Sequence, residues 1–200
     1  SKVIEEKRQK NNWFMVMLNG FGTAAALLND MEYVKMAVEY SHIAASLYNE
    51  DSYGESIQYY NYATLHLSHL NEILLRSGLV KEEALNFTCY ANLMVWYVAS
   101  FLYCKPLKKG GPVYPRTVNF GDSASVYRTT GDVLVQVASR MKNIDRQTAG
   151  LAAWMFRTMY SRPSEGPDEL ASFGLFNHFQ YYAVLMLPAC AEPVSPEAAG

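Results

Sequence analysis

The chain has 200 residues, of which 50% are hydrophobic and 18% are charged, and its net charge is −2. This composition excludes a disordered protein and provides enough apolar residues for one buried core. The three cysteines form no CxxC pair and no even-numbered framework, which predicts free thiols in a reducing compartment. The charged start SKVIEEKRQK, read as a start from which Met was removed, is unlike a secretory signal, and we predict a cytoplasmic protein.

The first part of the chain has helical spacing of its apolar residues. A first helix is predicted over about 3–18, ending at the glycines of 20–22, and a second from residue 29 or 30 to about 48. A third is predicted over 53–76 with Gly78 as its stop, and Gln58, Asn61, Ser68 and Glu72 lie opposite its apolar stripe. The short connections predict antiparallel neighbours in a bundle.

An uncharged run, FTCYANLMVWYVASFLYC, covers residues 87–104 and is followed by a lysine-rich stretch. A short membrane span with a basic flank would have this pattern. A central helix from about residue 81 to 104, buried on all sides with Trp96 in the core, explains it better, because the other helices are also striped with apolar residues. We therefore predict no membrane partner.

The second part of the chain begins with a change of composition. Residues 105–122 contain three prolines and three glycines and predict a long loop. Helices are predicted from residue 123 or 130 to 142, over 147–160 and over 168–187, and the tail 188–200 is predicted to be extended and flexible. The prediction is thus an all-α bundle of about seven helices, with a single domain over 1–187.

One group of side chains has the composition of a metal site. Glu39 and His42 are three residues apart on the second helix, and His66, His69 and Glu72 follow the same spacing on the third. Counted from the turn between these helices, however, the two sets are offset by roughly 9 Å at the helical rise. The whole set cannot converge, and a second Glu-x-x-His is missing, so we predict no metal.

The sequence offers no catalytic constellation. No serine lies in a nucleophile-elbow context, and Cys104 beside Lys105 is the one cysteine with a basic neighbour. The glycines at 110 and 111 lack the spacing and the Lys-Ser/Thr pair of a phosphate-binding loop. We predict a protein that is not an enzyme and carries no cofactor.

Charge is unevenly distributed along the chain. Residues 105–162 contain ten basic and three acidic side chains, whereas residues 29–83 contain nine acids and three bases. Residues 163–200 contain five acids and no base. Such separation predicts either a polyanionic partner or head-to-tail self-association.

The basic segment also contains aromatic residues and six of the eight arginines, a combination suited to phosphates and unpaired bases. We predict that it binds single-stranded RNA. The predicted contact residues are Lys105, Lys108, Lys109, Arg116, Arg128, Arg140, Arg146 and Arg157. The alternatives are that these arginines pair with the acids of the second and third helices within one fold, or that the segment binds a protein partner of opposite charge.

The favoured interpretation is a viral-type coat or nucleocapsid subunit that forms homo-oligomers, located in the cytoplasm or the virion. A helix-hairpin interaction scaffold of the tetratricopeptide type is the first alternative. Residues 58–160 also resemble the SusD family of glycan-binding lipoproteins, with paired helices, then Gly-Gly-Pro-Val at 110–113, then two more helices. That resemblance implies glycan binding, and a helical-bundle metalloprotein is the remaining alternative.

Overall fold

A computed structural model describes residues 11–48, 56–91, 94–101, 103–106, 109–110, 113–116, 121, 123, 130–160 and 185–199. The fold is all-α, which confirms the predicted class. The α-helices of the described residues are α1 (Asn12–Leu27), α2 (Met31–Ala45), α3 (Ile57–Arg76), α4 (Met94–Phe101), α5 (Gly131–Arg140), α6 (Arg146–Tyr160) and α7 (Pro196–Ala199).

The chain divides into two compact units. Unit 1 comprises Ser1–Tyr53 and Tyr62–Tyr90, and unit 2 comprises Gly54–Asn61 and Ala91–Gly200. Unit 1 therefore contains the first two helices and most of α3, and unit 2 contains the first turn of α3 and every element from residue 91 onward. Within the described residues, no helix combines the length and apolar character that a bilayer crossing requires.

Helix α1 differs from its prediction because it continues through both glycines to Leu27. Its N-cap is Asn11, whose side chain accepts a hydrogen bond from the Phe14 amide at 3.2 Å, and residues 3–10 lie outside the described part. Gly22 is buried, and a Cβ there would collide with Leu70 and lie 3.2 Å from the Ala37 Cβ. This glycine permits a close approach of helices and does not end one.

The other helices of unit 1 agree better with the sequence. Asp30 caps α2, because its side chain accepts hydrogen bonds from the amides of Glu32 and Tyr33. A 3-10 turn over Ser46–Tyr48 completes the predicted helix. Helix α3 ends at Arg76, and Gly78 follows with φ of 75°, the left-handed conformation expected of a C-terminal glycine. The predicted start of α3 at residue 53 lies outside the described residues.

The predicted central helix over 81–104 is much shorter in the structure. Glu82–Ala84 form one 3-10 turn, and among the described residues of this stretch α-helix covers Met94–Phe101. Between them the Asn86 carboxamide oxygen accepts hydrogen bonds from the amides of Thr88 and Cys89, each at 3.0 Å. This local turn competes with helix formation. Met94, Tyr97 and Val98 of α4 are buried, but Val95 is 66% exposed, so the prediction of a helix buried on all sides is wrong; the Trp96 side chain lies outside the described part.

The predicted loop 105–122 contains part of a hairpin. Strands β1 (Tyr103–Pro106) and β2 (Val113–Arg116) pair antiparallel, with Lys105 opposite Tyr114. β2 lies against α4 and α6, which fixes the hairpin within unit 2. A strand pair of four residues each that contains proline gives little periodicity, which is why the pattern indicated only a loop.

Unit 2 contains a buried polar network at the start of α5. Asn61 donates from Nδ2 to the Thr130 hydroxyl at 2.7 Å, and its Oδ1 accepts from the Thr130 amide at 3.1 Å and the Tyr97 hydroxyl at 3.3 Å. All three side chains are at most 1% exposed. The network joins the first turn of α3 to α4 and to the N-terminus of α5, at the later of the two predicted starts.

The C-terminal segment is extended only in part, because Leu187–Ala189 form a 3-10 turn and Pro196–Ala199 a short helix, and it is attached to helices of unit 2. The Ala191 amide donates to the Ala138 carbonyl and the Val194 amide to the Gly150 carbonyl, both at 3.0 Å. A Cβ at Gly150 would lie 2.8 Å from the Val194 Cβ, so glycine makes room for the segment. The described residues therefore do not form the free tail expected from composition. The predicted helix 168–187 lies almost entirely outside them.

Candidate functional site

Six of the eight predicted RNA contacts are described, and all six belong to unit 2. They occupy the hairpin and the ends of α5 and α6: Lys105 on β1, Lys109 in the hairpin turn, Arg116 on β2, Arg140 at the end of α5, Arg146 at the start of α6 and Arg157 near its end. Lys108 and Arg128 lie outside the described residues. The structure thus brings the described members into one folding unit.

The connection between α5 and α6, residues 140–146, is called here the basic turn. It contains Arg140, Lys142 and Arg146, of which the last two are exposed. Its one acid, Asp145, caps α6 by accepting from the Gln147 amide at 3.0 Å and the Thr148 amide at 3.2 Å. A hydrogen bond from the Thr148 hydroxyl contributes most to lowering the pKa of Asp145 below its usual value. This carboxylate is therefore committed to the helix end.

The position of Arg146 is unfavourable for helix stability. It is the first residue of α6, where the partial positive charge of the helix dipole repels a cation. Arg140, by contrast, lies in the last turn of α5, where a cation is stabilising. Helix electrostatics therefore account for Arg140 but not for Arg146, which is left as a candidate for contact with an external anion.

A cavity of about 360 Å³ lies between α6 and the C-terminal segment, and we call it the C-terminal pocket. Its lining is mainly apolar, with one base and one acid: Ala153, Phe156, Arg157, Leu187, Pro188, Cys190, Ala191 and Glu192. Arg157 and Glu192 are exposed. The pocket was not foreseen from the sequence, because half of its lining belongs to the segment predicted to be free.

Cys190 forms part of the pocket wall. Burial raises the pKa of its thiol, and the positive charges of Lys142 and Arg157 oppose that rise in part. The thiol lies 3.7 Å from the Val135 carbonyl oxygen, toward which it can donate. Lys142 and Arg157 therefore both lie close enough to Cys190 to act on it electrostatically. The thiol itself stays neutral and only lines the pocket.

The residues considered for a metal site have different partners in the structure. Glu39 is exposed, the His42 Nε2 lies 3.0 Å from the Ala84 carbonyl oxygen, and Glu72 pairs with Arg76 at 3.0 Å. His66 Nδ1 lies 3.2 Å from the Asn19 carboxamide nitrogen. Within the described residues no three potential ligands form a cluster that could hold a metal ion.

A second feature that sequence reasoning missed is the connection between α1 and α2, residues 27–32, called here the α1–α2 tip. Leu27 is 81% exposed, Leu28 76% and Met31 42%. Asp30 and Glu32 lie beside these apolar side chains. Helical periodicity assigns such leucines to the core, and only the positions of the helix ends show that they lie outside it.

Comparison of the chain with family models, with curated proteins and with solved structures finds no match. The function is therefore argued from the site itself.

Proposed function

We propose that the chain is a non-enzymatic, self-assembling subunit of a viral-type coat or nucleocapsid, and that unit 2 binds single-stranded RNA. The observation that carries the proposal is the basic turn, in which two exposed cations accompany a half-buried arginine while the one acid caps a helix. Phosphate is the ligand that such exposed cations favour.

The hairpin supports the same proposal. Lys109 is exposed in its turn, and β2, which contains Arg116, lies against α6, whose first residue is Arg146. RNA with four to six phosphate contacts needs several cations on one folding unit, and unit 2 contains all the described candidates. Aromatic residues of the same segment are suited to stacking on unpaired bases.

The experiment compares RNA affinity in two charge-reversal variants. Lys109→Glu combined with Arg146→Glu changes two exposed predicted contacts, and Lys35→Glu combined with Lys81→Glu changes two exposed lysines of unit 1. Affinity for a fluorescent single-stranded RNA is measured from 50 to 500 mM salt. For the unmodified protein we expect a log-log slope of about −3 to −4, corresponding to four to six contacts at about −0.7 each.

The variant of unit 2 should bind at least tenfold more weakly and lose about 1.4 from the absolute slope, because two contacts are removed. The variant of unit 1 should keep the original slope. Equal effects of the two variants would mean that only total charge matters. No binding at 50 mM salt, together with no RNA in the purified protein, would overturn the RNA part of the proposal.

A further inference from the structure

We propose that the α1–α2 tip of one copy inserts into the C-terminal pocket of a second copy, forming a head-to-tail contact that can repeat. The inference rests on the self-assembly part of the proposed function and names its interface. The tip offers exposed apolar side chains, and the pocket is a cavity of about 360 Å³ in which six of the eight lining residues are apolar. One arrangement thereby assigns a role to two features that the fold alone leaves unexplained.

The tip is preformed. Asn29 adopts φ of 54°, a left-handed conformation in which asparagine is tolerated better than most residues, and this reverses the chain in a short turn. Asp30 then caps α2 by accepting from the amides of Glu32 at 3.2 Å and Tyr33 at 3.4 Å. A turn held at both helix ends loses little conformational freedom when it binds, so its exposed leucines are effective contacts.

Charge favours this pairing over other apolar contacts. Glu32 lies near Leu28 at the tip, and Asp30 already caps α2. In the pocket lining Glu192 offsets Arg157, and Lys142 is close enough to influence the pKa of Cys190 in the wall. Insertion of the leucines therefore places Glu32 of one copy near Arg157 and Lys142 of the next.

The tip and the pocket are different surfaces, so the contact is heterologous and leaves an unused tip and an unused pocket at the ends of every open oligomer. Rings or filaments result, according to the rotation between successive copies. In this arrangement Arg157 faces a carboxylate of the neighbouring copy and not an RNA phosphate. Arg157 would then not be an RNA contact, unlike the other residues predicted to bind RNA.

The test uses two variants that each block one surface. Leu27→Ser combined with Leu28→Ser removes the apolar tip, and Arg157→Glu reverses the charge at the pocket; all three positions are exposed. Trp13→Ser is the matched control, because Trp13 is a 67% exposed apolar residue of α1 away from the tip. Far-UV circular dichroism and thermal unfolding verify that each variant is folded. Oligomer size is measured by mass photometry on RNase-treated protein.

Each blocked variant alone should associate at least tenfold more weakly than the unmodified protein, whereas Trp13→Ser should associate normally. A mixture of the two blocked variants should form dimers and nothing larger, because one supplies the intact pocket and the other the intact tip. Unchanged oligomers in either blocked variant, or an equal loss in Trp13→Ser, would overturn the interface while leaving self-assembly intact.

A protein that stays monomeric with and without RNA would overturn self-assembly itself, and the interface with it. A third result concerns Arg157 alone. If Arg157→Glu weakens binding of a short RNA to monomers more than about twofold while oligomers persist, the residue belongs to the RNA surface and the proposed contact is wrong.

Discussion

His66 illustrates how the surroundings of one residue change its chemistry. The histidine is half-buried on α3, where its ring packs edge-on against Tyr62 at a centroid distance of 4.9 Å, and the Asn19 carboxamide nitrogen lies 3.2 Å from Nδ1. Burial is the main cause that lowers the pKa of His66 to about 4, and the nearby charge of His69 adds to it. The neutral ring therefore persists in the folded protein at pH values where a free histidine is protonated.

This pKa predicts a loss of stability in mild acid. Between pH 6.5 and about 4 the unfolded chain binds a proton at His66 that the folded chain does not, so the free energy of unfolding falls as the pH falls. We expect this residue to contribute about 1 to 2 kcal/mol of the loss between pH 7 and pH 5, because partial exposure moderates the effect. Urea denaturation of the unmodified protein and of His66→Gln at both pH values measures it. The same pH dependence in both would contradict the prediction.

Asn61 shows a limit of sequence reasoning at the same scale. Its place opposite the apolar stripe of α3 indicated a solvent-facing residue, yet it is fully buried and makes three hydrogen bonds. Ser68 and Glu72, on the same side, are also buried. A helix covered on more than one face buries polar groups that find partners, and the partners of Asn61 are distant in sequence. Periodicity alone gives no indication of them.

Among helical elements, residue type alone does not distinguish a glycine that ends a helix from one inside a helix, because the difference depends on the residues that pack around it. Gly78 was predicted correctly as a helix stop, because an isolated glycine after a long apolar-striped run is the usual signal. Gly20 and Gly22 produced a wrong helix end, since the same residue type also permits close packing. The uncharged run was predicted only in part. Met94, Tyr97 and Val98 are buried as expected, but Val95 is 66% exposed, so the helix is not buried on all sides.

The docking of the C-terminal segment on α6 predicts opposite effects of alanine at two helical glycines. At Gly150 a Cβ would lie 2.8 Å from the Val194 Cβ and 3.2 Å from the Glu192 carbonyl oxygen. Gly150→Ala should therefore destabilise by about 1 to 3 kcal/mol, as overpacking does. Gly20 on α1 has nothing within 4 Å of such a Cβ, and Gly20→Ala should stabilise by about 0.5 to 1 kcal/mol.

Thermal unfolding of both glycine variants gives the comparison, and Val194→Ala gives a further check. Combining Val194→Ala with Gly150→Ala should recover part of the loss, because it removes the side-chain methyl groups nearest the new Cβ. A segment that does not dock would make Gly150→Ala as favourable as Gly20→Ala. In that case, deleting residues 191–200 would also leave the unfolding temperature unchanged.

Over the whole chain, the linear charge asymmetry is reduced by folding. Unit 1 has a net charge of −3 and unit 2 of +1, because the acidic C-terminal residues belong to the same unit as the basic segment. Glu192 and Arg157, at opposite ends of that asymmetry, line one pocket. Counting residues in the sequence shows that basic groups are concentrated in residues 105–162. It does not show which acids lie beside them, because that depends on tertiary contacts. The charges that matter for binding are therefore those at the basic turn and at the C-terminal pocket, and not the net charge of a whole unit.

Because RNA binding and self-association use different charged groups, we predict that salt weakens RNA binding much more than self-association. RNA affinity should fall by about 10³ to 10⁴ for a tenfold rise in salt, because each phosphate contact releases a condensed counterion. The tip-to-pocket contact has one or two exposed ion pairs, worth at most about 1 kcal/mol each, around an apolar centre that salt does not weaken. We therefore expect oligomers at 0.5 M salt from which RNA has been removed, with a low absorbance ratio at 260 and 280 nm.

Sedimentation velocity at 0.05 and 0.5 M salt measures the oligomers. Dissociation into monomers in parallel with RNA release would show that RNA, and not a protein contact, holds the copies together.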